Sequence, residues 1–144
     1  MSDGGFVTHL ECSLTGKHYP AGEVHGLSEA GRPLLVRYDL DRVKAVASKD
    51  ALGRSLDGFW RYHAFLPVKS PSNRTSLGEV VTPLIELGAA NLGTGALIVK
   101  DEGRLPTGSF KARGLALAVA MARELGLEHL AMPTNGNAGA ALAA

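Results

Sequence analysis

The alternation of two short apolar runs with two helical patterns over residues 96–144 narrows the fold more than any other feature of this chain. The run "ALIVKDE" (96–102) is mostly apolar, as expected of a central strand in a parallel sheet. A turn-rich stretch follows, and then a helical pattern from about Ser109 to Gly126. Phe110, Leu115, Leu117, Ala118, Met121, Ala122 and Leu125 supply its apolar face. Thr107 and Ser109 are both competent N-caps for that helix. "HLAMPT" (129–134) reads as a second strand, and "NGNAGAALAA" opens a second helix. The order strand, helix, strand, helix predicts a right-handed βαβ unit. The expected class is therefore α/β, the start of an open parallel sheet.

Upstream, residues 1–70 form a different segment, with short strands and turns over 6–40. "HYPAGEV" and "AGRPLLVRYDL" pair turn residues with β-branched runs, and "DLDRVKAVAS" predicts a short helix starting near Asp39 or Asp41. Phe59, Trp60, Tyr62 and Phe65 concentrate the aromatic side chains into a satellite core or an interdomain patch. Few basic residues are interleaved with them, so they do not make a stacking platform for bases. "KSPSNRTSLGEVVTPL" reads as a surface connection, which sets a boundary near residue 70 and gives residues 71–144 to the second domain.

Charge and cysteine content exclude several classes. The 15 basic and 14 acidic residues are interspersed and give a net charge of +1, so no basic stripe argues for nucleic acid. No apolar run reaches the roughly 18 residues of a membrane span, and "MSDGGFVTHLECS" lacks the pattern of a signal peptide. Cys12 is the single cysteine, which fits a reducing compartment, and a cytoplasmic location is expected. "NAGAALAA" ends within a helical pattern without a stop signal, so the sequence is expected to be the N-terminal part of a longer protein.

The chemistry concentrates in two turns. In a βαβ unit both strand-to-helix turns lie at the carboxyl edge of the sheet, where open α/β sheets bind ligands. Lys111 and Asn137 each fall in the first turn of a predicted helix. A helix N-terminus disfavours an ammonium, and Phe110 and Arg113 were expected to add desolvation and like charge around Lys111. That position suits an amine acting as nucleophile or base. Gly136 and Gly139 would let backbone amides approach an anion. A dinucleotide fingerprint fails because Thr134 stands where glycine is needed, and no P-loop occurs.

"KDEGRLPTGSFKARG" followed by "PTNGNAGAALAA" resembles the pyridoxal-phosphate enzymes of the tryptophan-synthase-β type (fold type II), the threonine synthases above all. "YDLDRVK", "FWRYHAFLPV" and "LGEVVTPLIEL" resemble the N-terminal region of the same group. The resemblance implies pyridoxal 5'-phosphate as cofactor, with Lys111 forming its Schiff base, Phe110 packing on its ring and Asn137 bonding its phenolic oxygen. Thr134, Asn135, Gly136 and Ala138 would hold the carboxylate of a small amino-acid substrate. The implied reaction converts O-phospho-L-homoserine and water to L-threonine and phosphate. A serine/threonine dehydratase, another ammonia-lyase or a non-catalytic paralogue are the alternatives, and homo-oligomer formation is left open. Since the family's phosphate-binding loop is expected downstream, residues 1–144 alone should bind the cofactor weakly and be inactive.

The sequence departs from that family in two places. Asn135 stands where serine is frequent. Some relatives also carry a cysteine zinc ribbon, but here only Cys12 is kept, with Thr15, Leu27 and Ala30 at the other ligand positions. A structural zinc needs about four ligands. No metal is therefore expected at this knuckle, even with His18 and His25 nearby, and turns with apolar contacts were expected to hold it.

Overall fold

The computed structural model describes residues 5–55, 58–88 and 97–144. Residues 1–4, read above for a signal peptide, residues 56–57 before the aromatic cluster, and Ala96 at the start of an expected strand lie outside the described residues. The chain forms two compact units: residues 1–74 with 120–130, and residues 75–119 with 131–144.

The first unit contains a three-stranded antiparallel sheet in the order β2-β1-β3, from β1 (Val7–Cys12), β2 (His18–Tyr19) and β3 (Leu34–Tyr38). Gly16, at φ +71°, lets the chain reverse between β1 and β2. The amides of Cys12 and Gly16 close that turn on the carbonyls of Lys17 (2.8 Å) and Cys12 (3.0 Å). A polar contact joins the knuckle to its second loop. The buried Cys12 thiol lies 3.1 Å from the Ser28 hydroxyl, while Leu27 remains 66% exposed.

Helix α1 (Leu40–Val46) starts where expected, because the Asp39 carboxylate accepts from the Arg42 amide at 3.0 Å. Ser48 caps α2 (Lys49–Arg54) in the same way through the Ala51 amide. The aromatic segment is a 3₁₀ helix over Gly58–Phe65 that buries Trp60 and Ala64, with the Arg74 guanidinium 5.9 Å from the Trp60 ring. Trp60 is core, whereas Tyr62 and Phe65 remain exposed.

In the second unit the two strands are antiparallel. β4 (Leu84–Leu87) pairs with β5 (Leu97–Lys100) in the register Leu84↔Lys100 to Leu87↔Leu97. β5 falls within the expected strand, but its partner lies in a segment the sequence pattern did not mark as a strand. The other expected strand, residues 129–134, forms no ladder, so the parallel βαβ pairing is not formed among the described residues. Pro133 within that segment has no N–H to give to a ladder. What is present is a mixed α/β arrangement with small antiparallel sheets.

Helix α3 (Lys111–Glu124) and helix α4 (Asn137–Ala143) lie within the two expected helices. The buried positions on α3 are small, namely Ala112, Ala120 and Ala122, whereas Phe110 is 60% exposed and Ala118 is exposed. The stretch 75–83 is not a plain surface connection either. Glu79 and Thr82 are buried, and the Thr75 hydroxyl donates to the Ala116 carbonyl at 3.3 Å.

Candidate functional site

The approach to Lys111 is a tight turn over Pro106–Gly108. Thr107 stands at φ +65°, a left-handed conformation that costs a β-branched residue about 1–2 kcal/mol. Such strain persists where surrounding contacts impose it. Here the Gly108 amide donates to the Leu105 carbonyl at 2.9 Å, and Leu105 is buried. Thr107 is thus in the turn, and Ser109 provides the cap: its buried hydroxyl accepts from the Lys111 amide at 3.2 Å.

A polar network fixes the start of α3. The Glu102 carboxylate accepts from the Thr82 hydroxyl at 2.6 Å and from Arg113 at 2.6 and 3.0 Å. The Lys100 ammonium is 3.7 Å away. The Arg113 guanidinium, followed by the Thr82 hydroxyl, holds the Glu102 carboxyl down to about 2. Arg113 is therefore an anchor two residues beyond Lys111, and its charge is matched by Glu102 rather than imposed on the lysine. Burial of Lys111 is absent as well. Its side chain is exposed, with Nζ 4.6 Å from the centre of the Phe110 ring. Neither the burial nor the unmatched neighbouring charge expected around Lys111 is thus present.

The second loop is organised by Thr134. Its Oγ1 accepts from the amides of Gly136 (3.2 Å) and Gly139 (2.9 Å) and lies 3.3 Å from the Gly136 carbonyl, to which it donates. Gly136 adopts φ +155°, and a Cβ on Gly139 would lie less than 3.0 Å from the Thr134 methyl. The amides of the two glycines are thus engaged in this internal cap. The Asn137 and Ala138 amides, in the first turn of α4, have no partner among the described residues.

α4 packs against the Pro106–Gly108 turn, and this contact replaces strand adjacency as the cause of convergence. Lys111, Pro133, Thr134, Asn135, Gly136, Asn137 and Ala138 line one open cleft of about 420 Å³. Phe110, expected against the cofactor ring, adjoins Lys111 but does not line the cleft. A more enclosed cavity of about 210 Å³ in the first unit, lined by Phe6, Leu52 and Val68 among others, contains none of the anticipated site residues. The sequence pattern missed the Thr82–Glu102–Arg113 anchor. An arginine at the start of a helix and a glutamate just after a strand were the available signals.

The donor set in the cleft fits the group expected from the sequence. A primary amine, a side-chain amide and two uncommitted backbone amides are what an aldehyde, a phenolic oxygen and a carboxylate require. Comparison with known proteins gives the same direction. Residues 75–144 match the family model described as pyridoxal-phosphate dependent enzyme. The chain is 41% identical over 135 residues to a threonine synthase of Methanocaldococcus jannaschii, covering 92% of this chain and 33% of that protein. It is 37% identical over 138 residues to a threonine synthase of Methanosarcina acetivorans, covering 94% of this chain and 33% of the relative. A shorter likeness, 44% over 77 residues, covers 47% of this chain and 16% of a 2-amino-4-ketopentanoate thiolase beta subunit of Acetoanaerobium sticklandii. No solved structure matches the chain. The chain spans about a third of the length of the threonine synthases just named. Residues 75–144 thus match the pyridoxal-phosphate dependent enzyme family, in a chain similar along most of its length to threonine synthases.

Proposed function

We propose that the full-length protein is a threonine synthase, a pyridoxal-phosphate-dependent lyase that converts O-phospho-L-homoserine and water to L-threonine and phosphate. The observation that carries this reading is the cleft shared by Lys111 and residues 133–138. When bound, pyridoxal phosphate supplies a sink for the carbanion charge that builds up on the amino-acid substrate.

The chain's own residues divide the remaining work. Lys111 Nζ holds the cofactor and carries protons to and from the substrate carbons, a task that suits an amine reached from a rigidly anchored helix start. Phe110 offers an exposed ring beside that amine to pack on the cofactor. The Asn137 side chain holds the phenolic oxygen, and Thr134, Asn135, Gly136 and Ala138 form the carboxylate pocket. Because the Thr134 hydroxyl already accepts from two amides, its part is to shape the loop, leaving the Ala138 amide free to bind.

The open parallel sheet of a fold type II enzyme belongs to the same proposal. The support is that every residue of β4 and β5 is exposed although both strands are mainly apolar, as in strands covered on both faces within a larger sheet. An antiparallel strand at the margin of a parallel sheet is common. Assembly as a homo-oligomer and a cytoplasmic location complete the reading; among the described residues, no helix is long and apolar enough to cross a membrane.

The test is an assay of the full-length protein with pyridoxal phosphate and O-phospho-L-homoserine, measuring phosphate and threonine together, with L-threonine as a second substrate. Equal amounts of phosphate and threonine, both abolished by Lys111→Ala, are expected. Phosphate without threonine, or 2-oxobutanoate from L-threonine as the main activity, would overturn the assignment.

A further inference from the structure

We propose that His9, Glu11 and His18 form a binding site for a divalent first-row metal ion, zinc being the best match, on the sheet of the first unit. None of the three residues belongs to the set that lines the cofactor cleft, and the proposal does not depend on the proposed function. Cysteine spacing gives no hint of it, because the three ligands meet only through strand pairing. His9 and Glu11 are two apart on β1 and share a face, and β2 sets His18 directly opposite Glu11.

The geometry is that of converging lone pairs. Nε2 of His9 and Nε2 of His18 each lie 3.9 Å from Oε2 of Glu11, too far for hydrogen bonds. The three donor atoms lie within 4.8 Å of one another. A triangle of those sides has its centre no more than about 2.5 Å from each corner, against about 2.0–2.2 Å for zinc–nitrogen and zinc–carboxylate bonds. A contraction of a few tenths of an ångström closes the site. The two imidazole rings lie side by side, with centroids 3.9 Å apart and planes inclined by 33°.

Neighbouring groups set the donors in the form a metal needs. The Thr8 hydroxyl donates to the Arg37 carbonyl at 3.2 Å, so toward His9 Nδ1, 2.9 Å away, it can only accept. Nδ1 therefore carries the proton and Nε2 the lone pair. That Nε2 is buried and has no hydrogen-bond partner, the kind of orphaned acceptor that calls for a cation or a donor. The Arg37 guanidinium binds Oε1 of Glu11 at 2.5 Å and leaves Oε2 facing the histidines. Its positive charge opposes the metal, and the carboxylate it orients compensates. Three protein ligands leave a coordination position for water. The ion would clip β2, a strand of two residues, onto β1.

The test is a titration of the full-length protein with zinc chloride against a chromophoric chelator, together with cobalt chloride to read ligand-field absorption. One equivalent of zinc should bind with micromolar or tighter affinity. His9→Ala and His18→Ala should each weaken it at least ten-fold, roughly the loss seen when a metal site is disturbed. His25→Ala and Cys12→Ser should leave it unchanged. His18 is 63% exposed, so its removal does not threaten the fold, and a circular-dichroism spectrum identifies any variant that fails to fold. No binding below about 100 μM, binding retained in a folded His18→Ala variant, or binding lost in Cys12→Ser would each overturn the site.

Discussion

The close fit of Gly139 against Thr134 provides a sharp test of how the candidate site is built. A Cβ at position 139 would meet the Thr134 methyl at under 3.0 Å and the Thr134 Cβ at 3.2 Å. In Gly139→Ala the threonine must turn away, and its Oγ1 then leaves the Gly136 and Gly139 amides. Loss of a helix cap costs about 1 kcal/mol and overpacking about 1–3 kcal/mol. Against this, alanine in a helix is favoured over glycine by about 0.8–1 kcal/mol. The single variant should therefore be destabilised by about 1–3 kcal/mol. Thr134→Ser removes the methyl and keeps the hydroxyl that makes the cap. In that background Gly139→Ala should be neutral or stabilising by up to about 1 kcal/mol, a coupling of about 2 kcal/mol. Urea denaturation of the four proteins in the cycle measures it. An equal cost for Gly139→Ala in both backgrounds would refute the idea that this glycine exists to admit Thr134.

Three further outcomes are expected. The Glu102 carboxyl, held at about 2 against an ordinary 4.5, gives stability that is complete above about pH 5 and is lost as pH falls toward 2. The full difference corresponds to about 3 kcal/mol, and partial exposure of the carboxylate reduces it to about 1–2 kcal/mol. Glu102→Gln should accordingly flatten the acid limb of stability against pH, and an unchanged limb would contradict the network. Thr107→Asn should raise stability by about 0.5–1 kcal/mol in thermal melts, since asparagine tolerates the left-handed conformation, whereas Thr107→Val should not. Asn137→Ala should weaken pyridoxal phosphate binding several-fold in a fluorescence titration without lowering the melting temperature of the apoprotein by more than about 2 °C.

Helices α3 and α4 were legible because their signals are local. Ser109 caps α3, glycine and asparagine mark the entry to α4, and the apolar spacing runs between. The approach of Lys111 to the 133–138 loop was also legible, though for a different physical reason. The expected route was two adjacent parallel strands, while the structure brings the loops together by packing α4 on the Pro106–Gly108 turn. Strand pairing is a non-local property. A run such as "LIEL" carries no mark of its partner, so β4 was missed, and the segment containing Pro133 was expected as a strand. The same limit hid the Thr82–Glu102–Arg113 anchor, whose members are up to 31 residues apart, and with it the neutralisation of Arg113. Gly139 was assigned to anion binding because sequence shows a missing side chain but not the methyl that fills its place.

The central claim is that Lys111 is the amine that takes the cofactor. Borohydride reduction of the full-length protein with pyridoxal phosphate, followed by proteolysis and mass spectrometry, tests it most directly. Among the six lysines in this chain, at 17, 44, 49, 69, 100 and 111, the account predicts a single reduced adduct on Lys111 that disappears in Lys111→Ala. An adduct on Lys100, labelling spread over the exposed lysines, or an undiminished cofactor spectrum in Lys111→Ala would contradict it.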